Sequence, residues 1–567
     1  MTYQREHALS VLRTYWGHTG FRAGQEAVIR DAVEGRDLLA VLPTGGGKSL
    51  CYQLPALMGE GTTLVISPLI ALMQDQVEAL RSRGVRAVAI HGGMSFPERE
   101  HAWNEAEHAP ISILMLSPEA ISGDLFQARA PRLGITRVAV DEAHCISEWG
   151  HDFRPHYLRI PESLTCIGSP PLAAYTATAP PRVRDEIIAA LSLNDCRSHV
   201  LPIDRPNIHW VVQRTVDLWG ACRDRLQTHK GATVLYAGTR RNAEDWARRL
   251  TTNGIRAAAY HAGMSPAERQ SVQNAFMANE LRVVAATSAF GMGIDKPDVR
   301  LVLHTMLPTS LEAYYQEAGR AGRDGDDAHA VMIASPAEDD RLRLWARSQY
   351  PPDAVIRDVY RVALDLAAVG TGERPEGHVT ADSERLSEIL RIPRAQVDAA
   401  VALLEGTGHW TITSSRGKTA DISGLASPSD LAEAARAYDP GHPAHRLITA
   451  LMRAPRERAE LPVRELARLA DLSEERTFEG LRFLHKRGLT GRDSGAQAFR
   501  LQLLKPRSAK PDFQAQRLKR LRKRAERRAQ DVIAYASVAS CRRRVLREYF
   551  GERAPGYCGS CDNCVSG

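Results

Sequence analysis

The 567-residue sequence predicts an α/β protein: two successive parallel-sheet domains, followed by a mainly helical region. Three observations carry that expectation. Short apolar runs alternate with helical stretches, which is the grammar of parallel strands joined by helical crossovers. The runs form two sets: Asp37–Val41, Thr63–Ile66, Ala87–Ile90, Ile113–Leu116 and Val138–Val140, then Val234–Ala237, Val283–Ala286 and Leu301–His304. From about residue 350 the strand grammar gives way to helices and turns, ending in a basic tail that carries cysteines. A chain this long exceeds a single core, so several domains are expected.

Composition narrows the class. Apolar residues make up 44% and charged residues 25%, ordinary values for a soluble globular protein. No apolar run reaches membrane-spanning length and residues 1–7 lack a signal-peptide pattern, so a cytoplasmic location is the expectation, nucleoid-associated in a bacterium. The net charge of +7 is mild but unevenly placed. Between Lys505 and Arg547 stand fifteen Lys and Arg against Asp512, Glu526 and Asp531, which points to a polyanion partner or, alternatively, to a solvated helix face.

The first set of strands organises the chemistry. The run ending at Val41 leads into Leu42-Pro43-Thr44-Gly45-Gly46-Gly47-Lys48-Ser49, and Leu50 onward can start a helix. A glycine loop between a strand end and a helix start cradles phosphate with converging backbone N–H groups. Thr44, Gly45, Gly46 and Gly47 form that cradle, Lys48 reaches the β- and γ-phosphates, and Ser49 holds Mg²⁺. Position 42 is Leu where the phosphate-loop pattern has Gly. Upstream, Gln25 has an amide matched to an adenine edge, and Arg22 is placed to stack on the base. Ser67 and Ser117 follow two other strands, as phosphate-backbone contacts or as plain helix caps. Asp141-Glu142 follow Val138-Ala139-Val140; Asp141 would hold Mg²⁺, and Glu142 would orient and deprotonate the attacking water.

The stretch from Asp141 through Ala143-His144-Cys145-Ile146-Ser147-Glu148-Trp149-Gly150-His151-Asp152-Phe153-Arg154 to Pro155 resembles the RecQ family of DNA helicases, within superfamily 2, and the resemblance runs from about residue 15 to 345. It implies two RecA-like motor domains with ATP between them. It also implies that Trp149, His151, Phe153 and Arg154 form an aromatic loop that senses single-stranded DNA. Stacking on such rings is worth about 1–3 kcal/mol per base. Phe21–Gln25 resembles the family's adenine-reading motif, with His18 standing where the family usually has an aromatic residue. The resemblance implies nucleic-acid contacts by Ser67, Gln74, Ser117, Arg240, His261 and Thr287, and a cross-cleft contact by Asp295, where Asn is the commonest family residue. Tyr175–Ala179 is similar to the hydroxyl motif linking the metal site to DNA, and Asp204–Ile208 to the join between the motor domains. In Gln316–Arg323, Arg320 and Arg323 are three apart and would share a helix face. The resemblance makes Arg323 the arginine finger, with Arg320 beside the γ-phosphate and Gln316 in the same motif.

Cys541, Cys558, Cys561 and Cys564 have the spacing C-x₁₆-C-x₂-C-x₂-C, suited to a tetrahedral zinc site, and their surroundings resemble the RecQ zinc module. Most family members place that module soon after the arginine motif; here it ends the sequence, with about 150 residues intervening. Those residues hold two passages of helices closed by a hairpin, read as tandem winged helices: Ala354 onward, Ser383–Leu390, Pro393–Leu404 and a wing over His409–Lys418, then Ala444–Met452, Val463–Leu469, Ser473–Lys486 and a hairpin over Leu489–Leu503. The expected domains are 1–208 and 209–345 (RecA-like), 350–430 and 440–505 (winged helices) and 510–567 (basic zinc hairpin).

The sequence therefore reads as an ATP-dependent DNA helicase using ATP, Mg²⁺ and Zn²⁺, with single-stranded and forked or duplex DNA as partner. As the resemblance implies, it would move 3′ to 5′ and serve recombination and repair. An RNA helicase, or a DNA-binding and annealing scaffold with a weak motor, is the alternative. The aromatic loop opposes the first, and intact Lys48, Asp141, Glu142 and Arg323 oppose the second.

Overall fold

The computed structural model describes residues 2–565 apart from 44, 148–153, 291–295, 416–418, 422–425, 454–459, 473–475, 478–479, 482, 485–486, 488 and 490–497. Trp149, His151, Phe153, Asp295 and Thr44 lie outside the described residues, as do Arg416–Lys418 of the expected wing. The chain divides into two compact units, Met1–Arg343 with Arg527–Gly567, and Leu344–Glu526.

The first unit contains two parallel sheets. Strands β1 (Leu38–Val41), β2 (Thr62–Ile66), β3 (Ala87–Ile90), β4 (Ile113–Leu116), β5 (Ile135–Val140), β6 (Leu172–Thr176) and β7 (Arg197–Val200) are ordered β3-β4-β2-β5-β6-β1-β7. Successive residues along each strand alternate between the two faces of the sheet. Leu39, Val41, Leu64 and Ile66 enter one core; Leu38, Ala40, Val65 and Met115 enter another on the opposite side. Near-continuous apolar strands follow from helices covering both faces of a parallel sheet. Strands β8 (Ile208–Arg214), β9 (Ala232–Tyr236), β10 (Ala257–Tyr260), β11 (Val283–Ala286), β12 (Val299–His304) and β13 (Ala328–Ala334) form the second sheet, ordered β10-β11-β9-β12-β13-β8. Both sheets are parallel throughout, as the strand–helix grammar predicts.

The same unit includes the C-terminal tail from Arg527, where helix Arg542–Tyr549 follows the last turns of the long helix Ala515–Ser537. Asp562 accepts a hydrogen bond from the Val212 N–H of β8 at 2.8 Å, and Arg542 Nε donates to the same carboxylate at 2.6 Å.

The second unit corrects the tandem arrangement. Helices Asp353–Leu366, Ser383–Leu390 and Arg394–Gly406 pack with β14 (Val379–Asp382), β15 (Trp410–Ser415) and β18 (Ala498–Leu503) around Trp410, whose Nε1 donates to Val401 O at 3.1 Å. The sheet order is β14-β18-β15, antiparallel. The strand expected to close the second passage thus closes the first sheet instead. Between β15 and β18 the chain builds a separate core from helices Pro428–Arg436, Pro443–Arg453 and Val463–Ala470, alongside the small ladder of β16 (Thr419–Asp421) and β17 (Glu460–Pro462). The two passages are nested, not consecutive. Leu501 and Leu503 are fully buried in the first core, and that burial selects their partners over the nearer helices. Among the described residues, no helix is long and apolar enough to cross a membrane.

Candidate nucleotide cleft and zinc site

Adjacent strands β5, β6 and β1 bring three loops to one edge of the first sheet. These are Asp141-Glu142 after β5, Thr178 after β6 and the glycine loop after β1. Ligand sites of open parallel sheets gather at such carboxyl edges. A cavity of about 740 Å³ opens there, lined by His18, Arg22, Gln25, Gly45, Gly47, Lys48, Ser49 and Glu142 on one side, with Gln316, Arg320 and Arg323 from the second sheet's domain on the other.

The glycine loop is held from behind. Gln25 is buried; its amide donates to Gly46 O (3.1 Å) and Gly47 O (3.3 Å) and accepts from the Arg22 N–H (2.8 Å). Arg22 donates to Gly45 O. Gly47 takes φ +74°, and a Cβ there would run into the Gln25 amide, so this position admits only glycine. Gln25 and Arg22 thus line the cleft and brace the loop.

Lys48 Nζ lies 3.0 Å from Asp141 Oδ1 and also pairs with Glu142 Oε1. Burial, with the Glu142 carboxylate adding to it, pushes the Asp141 carboxyl up against the pull of the Lys48 ammonium. Burial pushes Glu142 up too, but the Lys48 ammonium and His144 outweigh it and hold that carboxyl below the usual carboxylate range. Burial lowers Lys48, and the two carboxylates more than reverse this, keeping it protonated. Asp141 Oδ2 is fully buried and has no hydrogen-bond partner among the described residues. An orphaned carboxylate oxygen next to the glycine loop's Lys48 fits a divalent cation such as Mg²⁺. Glu142 itself adopts φ +48°, ψ +44°, a left-handed conformation that costs a non-glycine residue energy and concentrates at working sites.

A chain of contacts leads away from Glu142. His144 Nδ1 lies 3.3 Å from Glu142 Oε2 and 2.9 Å from Thr176 Oγ1. Thr176 donates to Thr178 O at 3.2 Å, and Gln316 Nε2 donates to Thr178 Oγ1 at 3.2 Å, joining the two domains. The hydroxyl motif read in the sequence is the middle of this chain.

The arginine stretch departs from expectation. The helix Leu311–Ala318 stops before Arg320 and Arg323, which occupy a turn rather than one helix face. The reason lies in the join between the domains. Arg205 donates to the carbonyls of Gly319 (2.9 Å), Ala321 (2.8 Å) and Gly322 (2.9 Å), and Asn207 Nδ2 adds a bond to Gly322 O (2.8 Å). Carbonyls that a continuing helix would use internally are satisfied from outside, and Gly322 turns the chain at φ +56°. Arg320 Nε donates to Tyr236 Oη at 2.8 Å, and the Arg323 side chain lies against Gly45 of the glycine loop. Arg205, Asn207, Tyr236 and Trp16, the last an aromatic wall of the cleft beside His18, were not singled out in the sequence. Only the Asp204–Ile208 motif hinted at the first two.

The expected nucleic-acid contacts stand at strand ends. Ser67 and Ser117 follow β2 and β4; both are buried, and Ser117 Oγ caps the turn of helix at 118–121, accepting from the Ala120 N–H at 3.3 Å. Gln74 meets His91 at 3.2 Å, and Arg154 Nη1 donates to Pro68 O at 2.9 Å. On the second sheet, Arg240 opens the helix after β9, His261 follows β10 and bonds Glu244 at 3.0 Å, and Thr287 follows β11.

Cys541, Cys558, Cys561 and Cys564 place one sulfur each within 4.8 Å of the others. The Cys558–Cys564 separation of 3.9 Å matches the edge of a tetrahedron with Zn–S bonds of about 2.3 Å. Burial raises the Cys558 thiol, but the Ser560 hydroxyl and the backbone N–H groups of Ser560 and Cys561 pull it down to about 6, toward the thiolate that binds metal. The four cysteines fit a structural zinc ion, which would tie the start of helix Arg542–Tyr549 to residues 558–564.

Fold and cleft define a two-domain, phosphate-loop motor of the helicase class. Consistently, the family described as DEAD/DEAH box helicase matches residues 22–187, the helicase conserved C-terminal domain matches 216–325, and the RecQ zinc-binding family matches 507–565. The ATP-dependent DNA helicase RecQ of Pasteurella multocida is 42% identical over 335 residues, 59% of this chain and 53% of that protein. The probable ATP-dependent DNA helicase RecS of Bacillus subtilis is 38% identical over 357 residues, 62% of this chain and 71% of that protein. The chain belongs to the RecQ family. It spans about half the length of the Pasteurella relative it matches. In fold it is similar to the DUF1998 helicase MrfA crystallised with DNA and AMPPNP, with TM-score 0.51, 20% identity, and coverage of 60% of this chain and 53% of that one.

Proposed function

We propose that the protein is an ATP-dependent DNA helicase that translocates 3′ to 5′ on single-stranded DNA and unwinds duplexes in recombination and repair. The observation that carries this reading is the convergence of Lys48, Ser49 and Glu142 from one domain with Gln316, Arg320 and Arg323 from the other around one cavity. Such a cleft is complete only when both domains contribute, so hydrolysis is tied to their relative motion.

In this reading Lys48 exchanges its carboxylate partners for the β- and γ-phosphates of ATP. Losing the ammonium raises the proton affinity of Glu142, which then takes the proton from the attacking water as its oxygen bonds to the γ-phosphorus and the bridging P–O bond to ADP breaks. Arg323, beside Gly45, neutralises charge on the transferring phosphoryl group, and Arg320 supports it. Bound through Asp141 and Ser49, Mg²⁺ supplies further charge neutralisation to the phosphates. The contacts from Glu142 through His144, Thr176 and Thr178 to Gln316 report the state of the base to the second domain. Ser67, Gln74 and Arg154, with Arg240, His261 and Thr287, provide a track for the DNA backbone along both sheet edges. Trp149 and Phe153 supply stacking faces from the aromatic loop.

The test is ATP turnover with and without single-stranded DNA, for the wild-type chain and Trp149→Ala, beside unwinding of duplexes tailed at either end. DNA stimulation lost in the variant, with displacement only from 3′ tails, is the expected result. Turnover indifferent to DNA, or stimulated better by RNA, would sink the reading.

A further inference from the structure

We infer that Arg543, in the zinc module, is a positioning residue for the arginine finger, acting through Asp204 and Arg205; this rests on the reading of Arg323 as the finger. Arg543 grips Asp204 fork to fork, with Nε on Oδ1 and Nη2 on Oδ2. Arg547, one helical turn later, lies 3.3 Å from the same carboxylate. Asp204 therefore carries two guanidiniums from one helix, and all three side chains are about four-fifths buried. The next residue, Arg205, holds the carbonyls of Gly319, Ala321 and Gly322. The path runs from the cysteine-bearing module through a bidentate ion pair, one peptide bond and three hydrogen bonds to the turn that presents Arg320 and Arg323.

The surroundings make this path stiff. Glu552 accepts from the Ile203 N–H immediately before Asp204, and from Arg547 Nε at 2.8 Å. Tyr549 donates to Glu312 at 2.7 Å, on the helix that leads into the finger turn, and Phe550 packs on Tyr315 with ring centroids 5.2 Å apart. Phe550 O accepts from Arg184 of the first domain at 2.7 Å. The module thus touches both motor domains and the join between them. A bidentate arginine–carboxylate pair fixes direction as well as distance, which a finger turn lacking helical support requires.

The test compares steady-state ATP hydrolysis by full-length Arg543→Ala, Arg543→Lys, Asp204→Asn, Arg205→Ala, the Arg543→Ala/Arg205→Ala double variant and Arg323→Ala, together with zinc content. Arg543→Ala and Asp204→Asn are expected to lower kcat about tenfold, equivalent to about 1.4 kcal/mol of transition-state stabilisation. KM for ATP should stay within about twofold and one zinc should remain per chain, since a lost finger removes an interaction made in the transition state. Arg543→Lys, keeping the charge but not the fork, should fall between. The double variant should be no slower than Arg205→Ala alone, because residues on one path are not additive. Should Arg543→Ala lose zinc, Asp204→Asn, outside the module, decides the matter. Unchanged kcat in Asp204→Asn while Arg323→Ala abolishes turnover overturns the coupling and leaves the finger assignment standing. Unchanged kcat in Arg323→Ala removes the finger assignment, and this inference with it.

Discussion

Replacing Lys48 by alanine tests the electrostatics of the cleft independently of catalysis. The side chains of Lys48, Asp141 and Glu142 are 14%, 1% and 15% exposed, so the variant strands two adjacent buried carboxylates without their cation. Removing one partner of a buried pair costs about 3–5 kcal/mol, and the pH dependence shows the origin. In the wild type Glu142 is depressed, so it stabilises the fold above the ordinary carboxyl value of 4.5, and that contribution fades as pH falls. In the variant the depressing ammonium is gone and burial lifts both carboxyls. Groups with raised folded values favour the fold below their unfolded values and penalise it as pH rises. The gap between the two proteins should therefore widen from pH 4 to pH 8, as the variant's raised carboxyls ionise, and close only in stronger acid, where Glu142 of the wild type takes up its proton. A domain of this size loses roughly 2–4 °C of Tm per kcal/mol, so melting of the two proteins across that range by intrinsic fluorescence reads the effect directly. Adding Asp141→Asn to Lys48→Ala should recover part of the loss at pH 8. A melting difference independent of pH, or a variant as stable as the wild type at pH 8, would refute the argument.

Two further predictions follow from the packing. Cys561→Ser, or prolonged chelation of the wild type, should remove the metal and loosen the tail, seen as loss of bound zinc and faster proteolysis after Arg542; metal-free protein with unchanged proteolysis would contradict a structural zinc. Trp410→Ala should cost the second unit about 3–5 kcal/mol as a large core truncation, seen as early cleavage within 344–526 while DNA-independent ATP turnover persists; equal protease resistance would show that Trp410 does not anchor that core.

Much of the first unit was legible because its information is local. Val138–Val140 or Val283–Ala286 need only be apolar and short to be strands, and the residues after them hold chemistry because parallel sheets expose their carboxyl edges there. Strand β7 (Arg-Ser-His-Val) was invisible because an edge strand with largely exposed side chains carries no apolar signal. Of the residues lining the cleft, His18, Arg22, Gln25, Lys48, Ser49 and Glu142 sit in motifs a sequence displays, whereas Trp16 and Arg83 belong to none and only the fold brings them into the wall. Arg320 and Arg323 line the cavity from a turn and not from the expected helix, because the carbonyls past Ala318 are taken by Arg205, more than a hundred residues upstream. The pairing of β18 failed for the same reason: its partners are chosen by a core shared with residues far earlier in the chain, and its nearer neighbours offered an equally good local pattern.

The nested second unit has a consequence for how the chain is made. Strands β14 and β15 do not pair with each other; both wait for β18, which lies between them and is translated roughly eighty residues after β15. At synthesis rates of about 5–20 residues per second, that leaves β15 for roughly 4–16 seconds, and β14 for longer, without their common partner. The inserted helices, with their own apolar cluster, are complete before β18 emerges. Assembly of this unit from the inside outward is thus favoured: the insert collapses first, brings the two ends of the excursion together, and so shortens the loop that β18 must close. A chain ended just before residue 498 would keep the insert and lose the sheet that carries it.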